Sequence, residues 1–123
     1  MLTSDYKNLK VWQKARILNK DIYNLTKKLP SCEDFVLSVQ MRRSCVSIPS
    51  NIAEGQARGS KKEFIHHLYY SKGSAAELET QLYLCLDLGY ISEDECETHI
   101  KKLEEIGRML KSLIHYIMST DNF

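Results

Sequence analysis

The fold is decided by residues 47–64, which read SIPSNIAEGQARGSKKEF. Apolar residues continue through Pro49 with helical spacing, although a proline inside a helix removes one hydrogen bond and costs about 3 kcal/mol. Gly55 and Gly59 then bracket a short turn. Ser60 follows with a glutamate three residues later, which is the capping-box pattern of a new helix. The stretch therefore predicts a helix that crosses Pro49, a turn, and the start of a second helix.

Two interpretations of Pro49 are open: two separate helices that meet there, or one helix that is kinked. We favour the kinked helix, because the apolar stripe passes through the proline in register. Ser47 and Ser50 lie close enough in sequence to help satisfy the backbone groups that the proline frees.

The rest of the chain keeps the same helical period, and no segment alternates like a strand. We predict helices over about residues 9–29, 32–57, 61–89 and 93–118. The second is expected to start at Ser31, with Asp34 as the partner in its capping box, and Ser92 with Glu95 opens the fourth. Four amphipathic helices joined by short loops predict one all-α domain over residues 1–123. Its fold class is an antiparallel up-down-up-down four-helix bundle.

The apolar stripes predict which residues form the core. Their members are Val11, Ala15, Leu18, Ile22, Leu25 and Leu29; Leu37, Met41, Ser44, Ile48 and Ile52; Phe64, Leu68, Ser71, Ala75, Leu78, Leu82, Cys85 and Gly89; and Cys96, Ile100, Leu103, Gly107, Leu110, Ile114 and Ile117.

Gly73-Ser74-Ala75-Ala76 forms an island of small side chains in the third helix. A glycine inside a helix costs about 1 kcal/mol relative to alanine, so we expect another segment to approach closely. The segment around Pro49 is the expected neighbour.

Composition limits the class of protein. The chain has 123 residues, of which 43% are hydrophobic and 27% are charged, as in ordinary globular domains. No apolar run approaches the roughly 20 residues of a membrane-spanning helix, and the start of the chain lacks the order of a signal peptide. We therefore expect a cytoplasmic protein without a membrane partner. Of the four cysteines, Cys45 and Cys85 are expected to be buried, and Cys32 is expected to be exposed.

Charge is divided unequally along the chain. Residues 1–62 carry 12 Lys/Arg against 5 Asp/Glu, whereas residues 63–123 carry 5 against 11, so the halves differ as +7 and −6. One interpretation is attraction between neighbouring helices or subunits. The other is a basic surface that binds phosphate groups.

No motif indicates catalysis. The chain lacks G-x-S-x-G and a phosphate-binding glycine loop, and no Ser, His and Asp fall into a triad pattern. Glu63 and His66 have the spacing of a di-iron helix bundle, but no second such pair exists. We therefore expect no enzyme activity, no cofactor and no metal site.

Several segments resemble a known bacterial family. They are LKVW at residues 9–12, QMRR at 40–43, residues 47–64, ELETQL at 77–82 and LDLGY at 86–90. This pattern is similar to the four-helix-bundle family named for reading frames in intervening sequences of 23S ribosomal RNA genes. The resemblance covers about residues 6–118. It implies a small cytoplasmic protein that assembles into a ring of five identical copies.

A more distant resemblance concerns possible partners. The chain is similar to the accessory protein of diversity-generating retroelements, a basic pentameric bundle that contacts nucleic acid and a reverse transcriptase. That likeness implies binding of nucleic acid or of another protein, although this chain has a net charge of only +1.

Five basic residues are the candidate nucleic-acid site: Arg42, Arg43, Arg58, Lys61 and Lys62. Phosphate binding needs several such charges on one surface. The alternative for Arg42 or Arg43 is a salt bridge to Glu77 or Glu79. We expect a non-enzymatic, homo-oligomeric protein that binds nucleic acid, and we favour RNA over DNA as its ligand. The alternative is a protein–protein scaffold that does not bind nucleic acid.

Overall fold

A computed structural model of the protein describes residues 5–121. Its helices are α1 (Lys10–Thr26), α2 (Leu37–Ala57), α3 (Lys61–Asp87) and α4 (Glu93–Ser119), and single 3-10 turns occur at Tyr6–Asn8 and Ser31–Glu33. No strand occurs among these residues. Of the domain predicted over residues 1–123, residues 1–4, 122 and 123 lie outside the described part.

Each helix packs against its neighbours in the chain, and α1 also packs against α4. The diagonal pairs α1/α3 and α2/α4 make no close backbone contact within residues 5–121. This arrangement confirms the predicted all-α four-helix bundle.

The predicted apolar stripes form the core. Ile22, Met41, Phe64 and Leu110 are completely buried, and they come from four different helices. Two glycines of the predicted stripes are exceptions. Gly107 on α4 is half-buried and the neighbouring Ile106 fills the core instead, and Gly89 is exposed beyond the end of α3, where its φ is +76°. Apolar burial of this kind contributes about 25 cal/mol per Å², so the continuous core is the main stabilising term.

Helix α2 passes through Pro49 without interruption. The prediction of one helix rather than two is therefore confirmed, and the kink at Pro49 stays a prediction. The segments on both sides of the proline keep Ile48 and Ile52 completely buried. Their burial offsets the backbone hydrogen bond that the proline cannot donate.

The predicted start of the second helix was wrong. Ser31 begins a short 3-10 turn, and the α-helix starts at Leu37. The Leu37 N–H donates to Glu33 Oε1 at 3.4 Å, and the Tyr90 hydroxyl donates to Glu33 Oε2 at 2.8 Å. Glu33 thus links the start of α2 to the α3–α4 turn, a tertiary contact that a local capping pattern does not reveal.

The small-residue island packs as expected through its serine. Ser74 Oγ donates to Ser47 Oγ at 2.8 Å, and one turn earlier Ser71 Oγ donates to the Ile48 carbonyl at 2.8 Å. The segment preceding Pro49 is therefore hydrogen-bonded to α3. Gly73 was expected to allow this approach, but it is exposed and an added Cβ would meet nothing within 4 Å.

Gly55 is the glycine that allows the close approach. It was expected in a turn, but it lies buried inside α2. An added Cβ would lie 2.7 Å from His67 Cβ and 3.3 Å from the Phe64 carbonyl oxygen. Of the two glycines that were expected in this turn, only Gly59 lies in it, with a φ of +74°. Gly55 therefore sets the distance between α2 and α3.

We predict that Gly55→Ala destabilises the protein by about 1–3 kcal/mol, because neither the His67 Cβ nor the α3 backbone can move away cheaply. Gly107→Ala is the matched control, since its Cβ would meet nothing within 4 Å. It should raise stability by up to about 1 kcal/mol through helix propensity. Urea unfolding measures both. Equal midpoints for the two variants would contradict the tight α2–α3 contact.

The four cysteines are all free, and Cys32 alone among them is exposed, as predicted. Burial raises the pKa of the Cys45 thiol to about 12 and that of Cys85 to about 11. Burial also raises the pKa of Cys96. These three thiols are therefore neutral and inaccessible at mildly alkaline pH.

A thiol reagent should accordingly modify only Cys32 in the native protein. The reaction is measured by mass spectrometry after a short exposure at mildly alkaline pH, with the urea-unfolded chain as the control in which all four thiols react. Fast modification of Cys45 in the native state would contradict the packing of α1 against α2.

Candidate nucleic-acid interface

Two adjoining depressions lie between α1 and α2, and they share Val46 and Ser50. Together they form what we call the α1/α2 groove. Its lining residues are Tyr6, Trp12, Arg16, Asn19, Tyr23, Val39, Arg42, Arg43, Val46, Ser47, Pro49, Ser50, Asn51 and Ala53.

The core packing of α1 positions the aromatic side of the groove. Trp12 follows the buried Val11 and is itself partly packed on the core. The Arg16 guanidinium lies 5.6 Å from the centre of the Trp12 ring, one turn further along α1. Tyr6 meets the same ring edge-on, with 5.3 Å between ring centres. Cation–π contacts of this kind hold an arginine in place while its charge stays accessible.

Arg42 is fixed on the opposite side of the groove. Its Nε donates to Thr26 Oγ1 at 2.9 Å, and its guanidinium lies 5.0 Å from the centre of the Tyr23 ring. The alternative of a salt bridge to Glu77 or Glu79 was wrong for Arg42, because its side chain turns toward α1. Arg43, the next residue, is exposed.

The groove is positively charged. It is lined by three arginines, Arg16, Arg42 and Arg43, and its lining contains no carboxylate, imidazole or thiol. Guanidinium groups beside aromatic rings suit phosphate groups and stacked bases. Without an acid, a base or an activated nucleophile among its lining residues, this arrangement favours binding over catalysis.

The other three predicted site residues lie elsewhere. Arg58 and Lys61 flank the turn between α2 and α3, and Lys62 is exposed at the start of α3. Arg42 and Arg58 are 16 residues apart on one continuous helix, which separates them by about 24 Å along its axis. The structure therefore divides the five residues into two groups.

The second group is largely engaged within the protein. The Arg58 guanidinium lies 2.7 Å from Glu54 and 3.5 Å from Glu63. Lys61 Nζ donates to the Thr120 carbonyl at 2.9 Å, beyond the end of α4. The two carboxylates offset the positive charge of Arg58, and the Thr120 carbonyl already occupies a donor of Lys61. These contacts favour Arg42 and Arg43 over Arg58 and Lys61 as ligand-binding residues.

Sequence reasoning missed the α1 side of the groove. Trp12 and Arg16 are four residues apart, the spacing at which side chains of one helix meet. Tyr23 follows on the same flank of the apolar stripe. This periodic arrangement of aromatic and basic residues was visible in the sequence, but the partner side of α2 was not.

Neither a metal site nor a membrane span emerges from the described residues. Between residues 5 and 121, no three His, Cys, Asp or Glu side chains are grouped so that they could hold a metal ion. Over the same range, every helix is too short or too polar to cross a bilayer.

Comparison with protein families settles the relationship. Residues 7–112 match the model of the 23S rRNA-intervening sequence protein. The chain belongs to this family. It is also similar to a crystal structure of a protein with unknown function from the S23 ribosomal protein family of Bacteroides thetaiotaomicron. The two share 33% identity over 85% of this chain and 97% of the other, with a TM-score of 0.79.

No curated protein matches the chain. Neither the family description nor that of the similar structure names an enzyme. The suspected resemblance to the intervening-sequence family is therefore confirmed, whereas a ligand is not assigned by these similarities.

The ion pair between Arg58 and Glu54 leads to a testable prediction. The hydrogen bond from Arg58 lowers the pKa of the Glu54 carboxyl below its ordinary value. The pair therefore stabilises the fold above the ordinary carboxyl pKa, and this contribution is lost as the pH falls through the lowered value. In Arg58→Ala the Glu54 pKa should rise toward its ordinary value in an NMR titration.

Glu95 is the internal control, because the hydrogen bond from Lys28 lowers its pKa far from Arg58. An unchanged Glu54 pKa in the variant would mean that Arg58 is free to bind a ligand.

Proposed function

We propose that this protein is a non-enzymatic, homo-oligomeric accessory protein of the cytoplasm that binds nucleic acid, and RNA in particular. The observation that carries the proposal is the α1/α2 groove, which presents three arginines and three aromatic rings without a carboxylate. Arg42 and Arg43 are retained from the predicted site, and Arg16 joins them.

The chemistry of the groove suits single-stranded nucleic acid. Arginine binds phosphate oxygens through a planar fork of N–H donors, and base stacking on aromatic side chains contributes about 1–3 kcal/mol per base. Trp12 and Tyr23 are partly buried, so each offers a ring edge and a fixed arginine rather than a freely exposed face. This geometry favours phosphate contacts and weak sequence preference.

RNA is favoured over DNA by the family description, which refers to 23S rRNA. One groove with three arginines gives only modest affinity. Several copies in one assembly would bind one RNA strand much more tightly, because the later contacts become intramolecular. The ring of five copies implied by the family resemblance would supply that effect.

The proposal is tested with Arg16→Glu/Arg43→Glu, in which two exposed cations of the groove are reversed. We expect binding of a short single-stranded RNA at low salt to weaken by at least about tenfold, since both phosphate contacts become repulsive. Trp12 is the sole tryptophan of the chain, so its fluorescence reports on occupation of the groove. Wild-type affinity should fall steeply as salt rises.

Two charge-matched variants complete the experiment. Arg108→Glu/Lys111→Glu reverses two exposed cations of α4 and should leave binding unchanged. Arg58→Glu/Lys62→Glu tests the second group, which should matter less than the groove. Absence of RNA binding by the wild type at low salt would overturn the nucleic-acid function.

A protein–protein scaffold is the second candidate, and one observation favours it. Helix α3 exposes several large apolar side chains, including Tyr69, Tyr70, Tyr83 and Leu84, each at least 45% accessible. Such side chains are typical of contact surfaces between proteins. A scaffold would purify with a specific protein partner and would show no salt-dependent RNA binding.

A further inference from the structure

A second surface depression lies on the opposite side of the bundle, between α3 and α4. We call it the α3/α4 groove. Its apolar floor includes Tyr83, Leu86 and Ile100, and carboxylates of Glu93, Glu97 and Glu104 stand at its rim. Lys101 is the one cation in the lining, and it pairs with Glu97 at 3.2 Å.

The α3/α4 groove therefore keeps an excess of negative charge. Glu93 and Glu104 form no ion pair with any residue between 5 and 121. Partial desolvation raises the pKa of the Tyr83 hydroxyl, and the nearby carboxylates of Glu79 and Glu104 raise it further. Carboxylates above an apolar floor suit a partner with cations around an apolar anchor.

The outer face of α1 has that complementary chemistry. Its lining residues are Trp12, Gln13, Arg16, Ile17, Lys20, Asp21 and Asn24. The Asp21 carboxylate is paired with Lys102 of the same chain, so the charges that this face leaves unpaired are basic. Ile17 is 63% exposed, the most exposed large apolar side chain of the four helices. Lys20 makes no ion pair with the described residues. Ile17 is thus an unburied apolar anchor with basic residues on both sides.

The same charge attraction already operates inside one chain. Along the seam between α1 and α4, Lys14 pairs with Glu105 at 3.0 Å and Lys102 pairs with Asp21 at 2.9 Å. Lys28 pairs with Glu95 at the end of that seam. Lys20 and Glu104 belong to faces that point away from it, because α1 lies diagonally across the bundle from α3. The two faces therefore do not meet within one chain, and a second copy would bring them together.

We infer that the outer face of α1 in one copy docks as a helix in the α3/α4 groove of the next copy. Ile17 would enter between Tyr83 and Ile100, and Lys20 would face the rim carboxylates. This inference rests on the homo-oligomer of the proposed function and names the surfaces that build it.

The contact joins two different surfaces, so a pair of docked copies still presents one free α1 face and one free groove. Contacts of this kind close into rings or extend as filaments, and they do not stop at two copies. Arg42 and Arg43 lie on α2, outside the contact. Trp12 and Arg16 line both the outer face of α1 and the α1/α2 groove, so the docked copy borders the groove.

The decisive experiment mixes two variants that each lose one surface. Ile17→Ser/Lys20→Ser removes the α1 anchor and its charge, and Tyr83→Ser/Glu104→Lys removes the groove. All four side chains are exposed, so both variants should keep the helical circular-dichroism signal of the wild type. Analytical ultracentrifugation measures assembly size.

We expect each variant alone to sediment as a single 14.3 kDa chain, whereas the wild type forms a larger assembly. An equimolar mixture should form complexes of two chains and nothing larger, because the one intact α1 face meets the one intact groove. Arg108→Glu/Lys111→Glu should retain the wild-type size.

The outcomes separate this inference from the proposed function. Variants that assemble like the wild type, or a mixture that stays monomeric, would overturn the docking of α1 in the α3/α4 groove while the homo-oligomer stands. A wild type that is monomeric at all concentrations would overturn both the docking and the homo-oligomer. RNA binding is measured separately on both variants, and a single chain should bind RNA with only the modest affinity of one groove.

Discussion

The structure depends on the close packing of α2 against α3. Gly55 allows the two helices to approach until His67 Cβ would touch any added side chain. Hydrogen bonds from Ser71 to the Ile48 carbonyl and from Ser74 to Ser47 fix the same pair on the N-terminal side of Pro49. A helix weakened by an internal proline thereby buries the apolar residues on both sides of it, Ile48 and Ile52.

This packing also explains where the candidate site lies. Because one side of α2 is fixed on α3, its other side turns Arg43, Val46 and Ser50 toward α1 and solvent. Helix α2 therefore contributes one side to the core and the other side to the groove. Two arginines of the groove, Arg16 and Arg42, lie over aromatic rings of α1, and no carboxylate lines the groove. The acidic groove lies between α3 and α4, and the basic groove lies between α1 and α2. The two helix pairs of the bundle therefore carry grooves of opposite charge.

Much of the fold follows from the sequence, because apolar periodicity encodes burial directly. The stripes, the N-caps at Ser60 and Ser92 and the passage through Pro49 were all predictable from local pattern. The start of α2 was not, since Glu33 and Tyr90 are distant in sequence and meet only in the folded chain. The close approach was assigned to Gly73 rather than to Gly55 for the same reason, because the space at a glycine depends on which residues of the opposite helix face it.

The candidate site could be predicted only in part. Arg42 and Arg43 stood out as a basic pair, but the contribution of Arg16 required knowledge of which α1 flank faces α2. Arg58 looked equivalent in sequence, although its pairing with Glu54 has the i, i+4 spacing that the sequence displays. Its contact with Glu63 depends on how the turn brings the start of α3 back toward the end of α2.

NMR mapping of a short single-stranded RNA on the isotope-labelled protein tests the central claim most directly. The account predicts chemical-shift changes at the Trp12 indole and around Arg16, Arg42 and Arg43. Changes confined to residues 58–62, or to the α3/α4 groove, would contradict it.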